Sequence, residues 1–325
     1  MMKRISLIIA LFVILNSTIV TAQQYFAIGE IHVSPDGNYV AGVGNRALRV
    51  WDANTGDLLF GSSSDIFYAD VSWNPESSRI VTASDDLLVR VWNVTDPAYD
   101  LGAIIAEFNP FEGSPRFLTA VEWSPNGEHF AIGGEFQVSI AIWDANNLNF
   151  VDTISGGFSA GEIEWSPNDN LIALTWYRDD APAYAIPTLS NPATSAYVLC
   201  EDCPQENASA IAWNSDGSRL AIGYDGGTVH IVDISTNTSL VNFQSGVFVN
   251  SLSWSYDDQL IATALGIYDA DTGILLESLV ASPLLTYSVD FHPNSYELVY
   301  FNNETENLVF DDVSDLVPSP QAECM

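Results

Sequence analysis

From Ile31 to Gly56 the chain reads IHVSPDGNYVAGVGNRALRVWDANTG. An apolar-x-apolar triplet leads into Ser-Pro-Asp-Gly, an apolar run, a polar break, a second apolar run closing on Trp51-Asp52, and another turn. Apolar residues at alternate places put one face of a strand inside. Pro presets its backbone angle, and Asp and Gly tolerate the reversal that follows. The stretch therefore predicts strand, turn, strand, turn, strand. The triplet returns as Val71-Ser72-Trp73, Val121-Glu122-Trp123, Ile163-Glu164-Trp165, Ile211-Ala212-Trp213, Leu252-Ser253-Trp254 and Val289-Asp290-Phe291. Its third residue moves from position 33 to position 291 in six steps, a mean spacing of 43.

A repeat of that length built from short alternating strands predicts an all-β, seven-bladed β-propeller of four-stranded antiparallel blades. Second strands are expected around Ile80, Phe130, Leu171 and Leu220. Small residues recur in register there (Ala41, Ala83, Ala131, Ala173, Ala221, Ala262), as close packing between neighbouring blades requires. Third strands end on Trp51-Asp52, Trp92-Asn93, Trp143-Asp144, Val232-Asp233, Tyr268-Asp269 and Phe310-Asp311.

The Trp-Asp endings, the Ser-Pro-Asp-Gly turn and the period resemble the WD40 repeat family over residues 23–313. A TolB-like or quinoprotein-like propeller shares the Trp-Ser-Pro-Asp-Gly turn and is the alternative within this fold. The family's Gly-His dipeptide is missing from every unit, with Gly61-Ser62 and Gly113-Ser114 standing in its place, so its His–Ser/Thr–Asp–Trp tetrad cannot form in full. The fourth unit lacks Trp-Asp and is enlarged around Tyr177 to Pro187, and the sixth is clipped at Ala264-Leu265-Gly266-Ile267. Few residues precede the first triplet, so residues 314–325 form a tail whose Ser314–Val317 is expected to give the last blade its fourth strand.

Residues 1–22 read as a signal peptide. Lys3 and Arg4 precede an apolar run from Ile5 to Leu15, and Val20-Thr21-Ala22 offers small residues for cleavage after Ala22. The product would be secreted or periplasmic, with no membrane insertion after cleavage. Lys3 is the sole lysine, so the remaining chain sets seven arginines against 42 acids, a net charge of −35. Such a field repels phosphate backbones and argues against nucleic acid as a partner. Without lysine there is no Schiff base and no phosphate-gripping P-loop. Cys200 and Cys203 form a C-x-x-C that is a candidate loop disulfide, and Cys324 is left over.

Gly157-Phe158-Ser159-Ala160-Gly161 matches the G-x-S-x-G string but lies between strands, where the strand–turn–helix that lifts a nucleophilic serine is not expected. Asp52-Ala53-Asn54-Thr55-Gly56 and Asp269-Ala270-Asp271-Thr272-Gly273 begin like calcium loops, one residue short and without a closing Glu. A hydrogen-bonded Asx turn accounts for both. No cofactor is expected, and Ca²⁺ is the one ion with even a partial motif.

Phe67, Phe117 and Phe248 stand before the triplets of their units, with Phe158, Tyr68 and Tyr287 nearby. In WD40 propellers these connections line the partner-binding face, and rigid aromatics make good anchors. Arg116 and Arg178 fall on the same set of loops. The sequence thus implies an exported, monomeric, non-catalytic scaffold that binds a protein or peptide. The rival is a propeller hydrolase or lactonase with a metal on the central axis, which would need inward-facing acids or His from several blades.

Overall fold

The computed structural model describes residues 28–111, 117–134, 140–154, 159–168, 171–177, 184–187, 195–198, 204, 206–246, 248–279, 288–302 and 305–317. Their regular structure is antiparallel strand, apart from a short 3₁₀ turn at Ser314–Leu316. Each repeat folds as a meander. In the third unit Leu118–Trp123, His129–Gly134, Ile140–Asp144 and Phe150–Ile154 pair in that order. The fifth unit, opening on Ala208–Trp213, and the sixth, opening on Leu252–Trp254, repeat this four-stranded plan.

The first two units are fused through long strands. Tyr39–Asp52 supplies two strands of the first, and Leu58–Trp73 serves as its outer strand before becoming the innermost strand of the second. The innermost strand of every unit touches that of the next, and Val289–Phe291 touches Ile28–Val33. The strands therefore close into a seven-bladed propeller.

Among the described residues closure occurs without strand exchange. Ile28, Ile31 and Trp51 of the first blade share one core cluster with Val299 and Phe301 of the last, the Trp51 and Phe301 rings 5.7 Å apart. The fourth strand expected from Ser314–Val317 does not form. Ser314–Leu316 is a 3₁₀ turn, and Leu316 and Val317 instead pack on the cluster between blades six and seven. Both side chains are half-buried there, and the Leu316 N–H bonds the Val313 carbonyl within the turn at 3.0 Å. Among the described residues the last blade has three strands. The clipped sixth unit keeps all four, because Thr263 Oγ1 accepts the N–H groups of Leu265 and Gly266 and tightens the turn.

The turns follow their sequences. Ser34 Oγ accepts the Tyr39 N–H at 3.0 Å and donates to Asp36 Oδ1 at 2.7 Å, while Gly37 takes φ 77°, a region open to glycine. All six recurring alanines are fully buried, where a larger side chain would force neighbouring blades apart. Among the described residues no helix is long and apolar enough to cross a membrane.

Candidate functional site

Strand alternation decides what lines the axis. In each innermost strand the outer members of the triplet face the blade packing, so the middle residue, and the residue two before it, face the centre. These positions enclose an axial cavity of about 590 Å³ whose wall includes Glu30, Asp70, Glu122, Glu162, Glu164 and Asp290, together with His32. No Lys or Arg appears among its described lining residues.

Most of these side chains solve a backbone problem. An innermost strand is a sheet edge with unpaired N–H groups, which are costly to bury unsatisfied. Asp70 Oδ2 accepts the Val121 N–H at 2.7 Å, Glu162 Oε2 that of Ile211 at 2.8 Å, and Glu164 Oε2 that of Trp213 at 2.9 Å. Asp290 Oδ2 accepts from Val33 at 2.8 Å, and Ser72, Ser251 and Ser253 accept from Trp123, Val289 and Phe291. Each side chain reaches the blade that follows it in the ring. Trp73, Trp213 and Trp254 return the contact, donating Nε1–H to the carbonyls of His32, Glu164 and Ala212.

Confining these acids changes their protonation. Burial, followed by the charge of Glu30 on Glu162 and of Glu122 on Glu164, pushes both well above the carboxylate range. Burial raises Glu122 to about 7, with the His32 charge opposing it. Asp70 is also held well above its ordinary value by burial and the Glu30 charge, and Asp290 is raised by burial. Burial pulls the His32 imidazole down, but the carboxylates of Glu30, Asp290 and Asp70 outweigh it and hold His32 well above its ordinary value.

The second feature is the face where connecting loops lead into the innermost strands. Phe117 and Phe248 are exposed there, in blades three and six, and Phe67 of blade two is exposed too, although it lies within the continuous strand Leu58–Trp73 and not on the expected loop. Phe67 borders a pocket of about 330 Å³ that shares Gly29 and Glu30 with the axial cavity. Tyr68 does not belong to this surface. It is 1 % exposed, packs in the core between the first two blades and meets Trp92 edge-on at 6.3 Å. Successive strand residues point to opposite sides, so Phe67 is exposed and the Tyr68 ring is buried, although both border the same pocket. Arg116, Phe158, Arg178, Tyr287, Cys200 and Cys203 lie outside the described residues.

Two sequence alternatives resolve. Asp52 Oδ1 accepts the N–H groups of Asn54 and Thr55, and Asp269 Oδ1 accepts from Thr272, so both calcium-like strings are Asx turns. In the G-x-S-x-G string, Ser159 opens the strand Ser159–Trp165 and no helix follows.

Residues 56–93 match the family model for the WD domain, G-beta repeat, and residues 163–257 match that of the anaphase-promoting complex subunit 4 WD40 domain. Both stretches carry WD40 repeats. The chain is 23% identical to the guanine nucleotide-binding protein subunit beta-like protein of Encephalitozoon cuniculi, over 81% of this chain and 68% of that relative. It is 28% identical to the ribosome biogenesis protein WDR12 homolog of Ixodes scapularis, over 32% of this chain and 23% of that relative. It is 27% identical to protein HIR1 of Cryptococcus neoformans, over 57% of this chain and 22% of that relative. The chain thus spans under a quarter of the length of the last two. A remnant of the WD40 tetrad survives in the second blade, where Trp92 Nε1 donates to Thr82 Oγ1 at 3.0 Å inside the core.

The axial acids were the residues that sequence reasoning missed, since it named inward-facing acids only as a requirement of the rival reading. The signal was present: they fall on the middle position of the repeated triplet and two residues before it.

Proposed function

We propose that the protein is an exported, non-catalytic WD40 scaffold that captures a protein or peptide partner on the loop face. The observation that carries this reading is the exposure of three phenylalanines that precede the inner triplets of their blades, Phe67, Phe117 and Phe248, at 46 %, 45 % and 46 %. The rings sit on a rigid frame, so little conformational entropy is lost when a partner covers them. The pocket beside Phe67 has Glu30 in its wall, and the chain's net charge is −33, which together favour a partner carrying basic residues. Names of WD40 relatives such as a G-protein beta-like protein suit a role in protein assembly. Export is supported by Lys3-Arg4, the apolar run that follows and the small residues at Val20-Thr21-Ala22.

The test is affinity capture from the native secretome with the wild-type chain, with Phe67→Ala/Phe248→Ala, and with an Ile274→Ala control elsewhere on the surface. Capture lost only by the double variant, at unchanged Tm, supports the reading. Capture that survives the double variant overturns it.

A further inference from the structure

Among the described residues three axis-facing side chains, Glu30, His32 and Glu122, accept no N–H group of the next blade, and two of them meet each other. Glu30 and His32 occupy positions where Asp70, Glu162, Glu164 and Asp290 hold the N–H groups of the next blade, yet neither accepts such a bond. Glu30 and His32 instead converge on each other and on Asp70. One ligand atom from each lies within 4.8 Å of the other two, and His32 Nε2 stands 3.5 Å from Glu30 Oε1. The Nε2 atom is shielded from solvent and has no hydrogen-bond partner, although 36 % of the imidazole side chain is accessible.

We propose that Glu30, His32 and Asp70 form a binding site for a divalent transition-metal ion of the zinc class, in the wall of the axial cavity. Glu30 and His32 are two apart on one strand, so both face the axis, and Asp70 comes from the neighbouring innermost strand. Two ligands on a tetrahedral ion with bonds of about 2.1 Å are separated by about 3.4 Å, close to the Nε2–Oε1 spacing. Asp70 is oriented from behind, its two oxygens accepting the Val71 and Val121 N–H groups at 2.6 and 2.7 Å. A carboxylate retains lone pairs for a metal after those bonds, and such outer contacts fix a ligand's geometry.

The charge balance points the same way. The cavity gathers six carboxylates and one imidazole, with no Lys or Arg among the described lining, so a dication would offset a field that only protons otherwise relieve. One imidazole with two carboxylates suits zinc better than calcium, which takes six to eight oxygens. Three protein ligands leave a fourth position facing the cavity.

The purified full chain, stripped with chelator, is titrated with ZnCl₂ and separately with CaCl₂ by calorimetry. X-ray absorption of the Zn²⁺-loaded wild type then reads the ligand shell. The expected result is one Zn²⁺ per chain, an imidazole in the shell and a raised Tm. Glu30→Gln and His32→Gln should each weaken Zn²⁺ binding by about 100-fold while the metal-free variants keep the β-sheet circular dichroism of the wild type. Absence of stoichiometric binding overturns the proposal, as does binding that survives both substitutions, a shell without imidazole, or a preference for Ca²⁺. The absorption measurement needs only wild type, so it decides the matter even if a variant fails to fold.

Discussion

The backbone N–H of Val33 meets Asp290 Oδ2 at 2.8 Å, joining residues 257 apart in sequence across the seam between the first and last blades. Beside it Ile31 donates to Ser288 Oγ at 3.2 Å, and Asp290 Oδ1 accepts from Ser253 Oγ at 2.8 Å. The ring is fastened here by side chains and core packing.

Asp290→Ala should therefore destabilise the protein by about 1–3 kcal/mol, the cost of leaving buried partners unsatisfied. Asp290→Asn keeps a carbonyl acceptor and should lose less. Urea unfolding of the two variants checks the order, and equal losses would mean that Asp290 does not fasten the seam.

Stability should rise as pH falls from about 8 to about 5. Glu122, Glu162, Glu164, Asp70 and Asp290 bind protons more readily folded than unfolded, so their contribution is full below the ordinary carboxylate range and is lost as pH rises through their folded values. His32, also raised, acts in the same direction. Below about pH 4 the trend reverses, because Asp36 and Asp86 are held low by hydrogen bonds, from Ser34 and Arg90 first, that outweigh partial burial. Glu122→Gln should flatten the slope near pH 7. Thermal scans across this range give the test, and a Tm that rises steadily from pH 5 to 8 would contradict it.

Phe67 and Tyr68 are adjacent and oppositely placed. Phe67→Ala should change stability by no more than about 0.5 kcal/mol, whereas Tyr68→Ala should cost about 3–5 kcal/mol by emptying the core between blades one and two. Denaturant midpoints compare them directly.

Gly37→Ala should destabilise by more than a typical surface change. Gly37 has φ 77°, and a Cβ there would lie 2.1 Å from His292 Nε2 of the last blade. Because His292 also meets the Gly37 carbonyl at 3.2 Å, the ring cannot swing away without losing that contact. In a Gly37→Ala/His292→Ala double variant the overlap disappears while the backbone strain remains, so a partial recovery of Tm is expected.

The repeat, the turns and the strands were legible because they depend on neighbours in sequence. Val71-Ser72-Trp73 alternates, Ser34-Pro35-Asp36-Gly37 turns, and Asp52 bonds the N–H groups two and three residues on. The same alternation already separated the axis-facing Glu122 and Glu164 from the buried Trp123 and Trp165, though it could not show that six acids would share one cavity. The loop reading placed Tyr68 beside Phe67 on one surface, and the strand sends its ring into the core.

By itself, then, the sequence determined a chain of seven similar blades and the side of each strand that faces inward, since both follow from period-two patterning and local turn chemistry. Only the tertiary structure decided how the ring closes and what gathers on its axis. Val33 and Asp290, or Glu30, His32 and Asp70, become neighbours only when the innermost strands stand side by side, and a distance of that kind has no counterpart in the spacing along the chain.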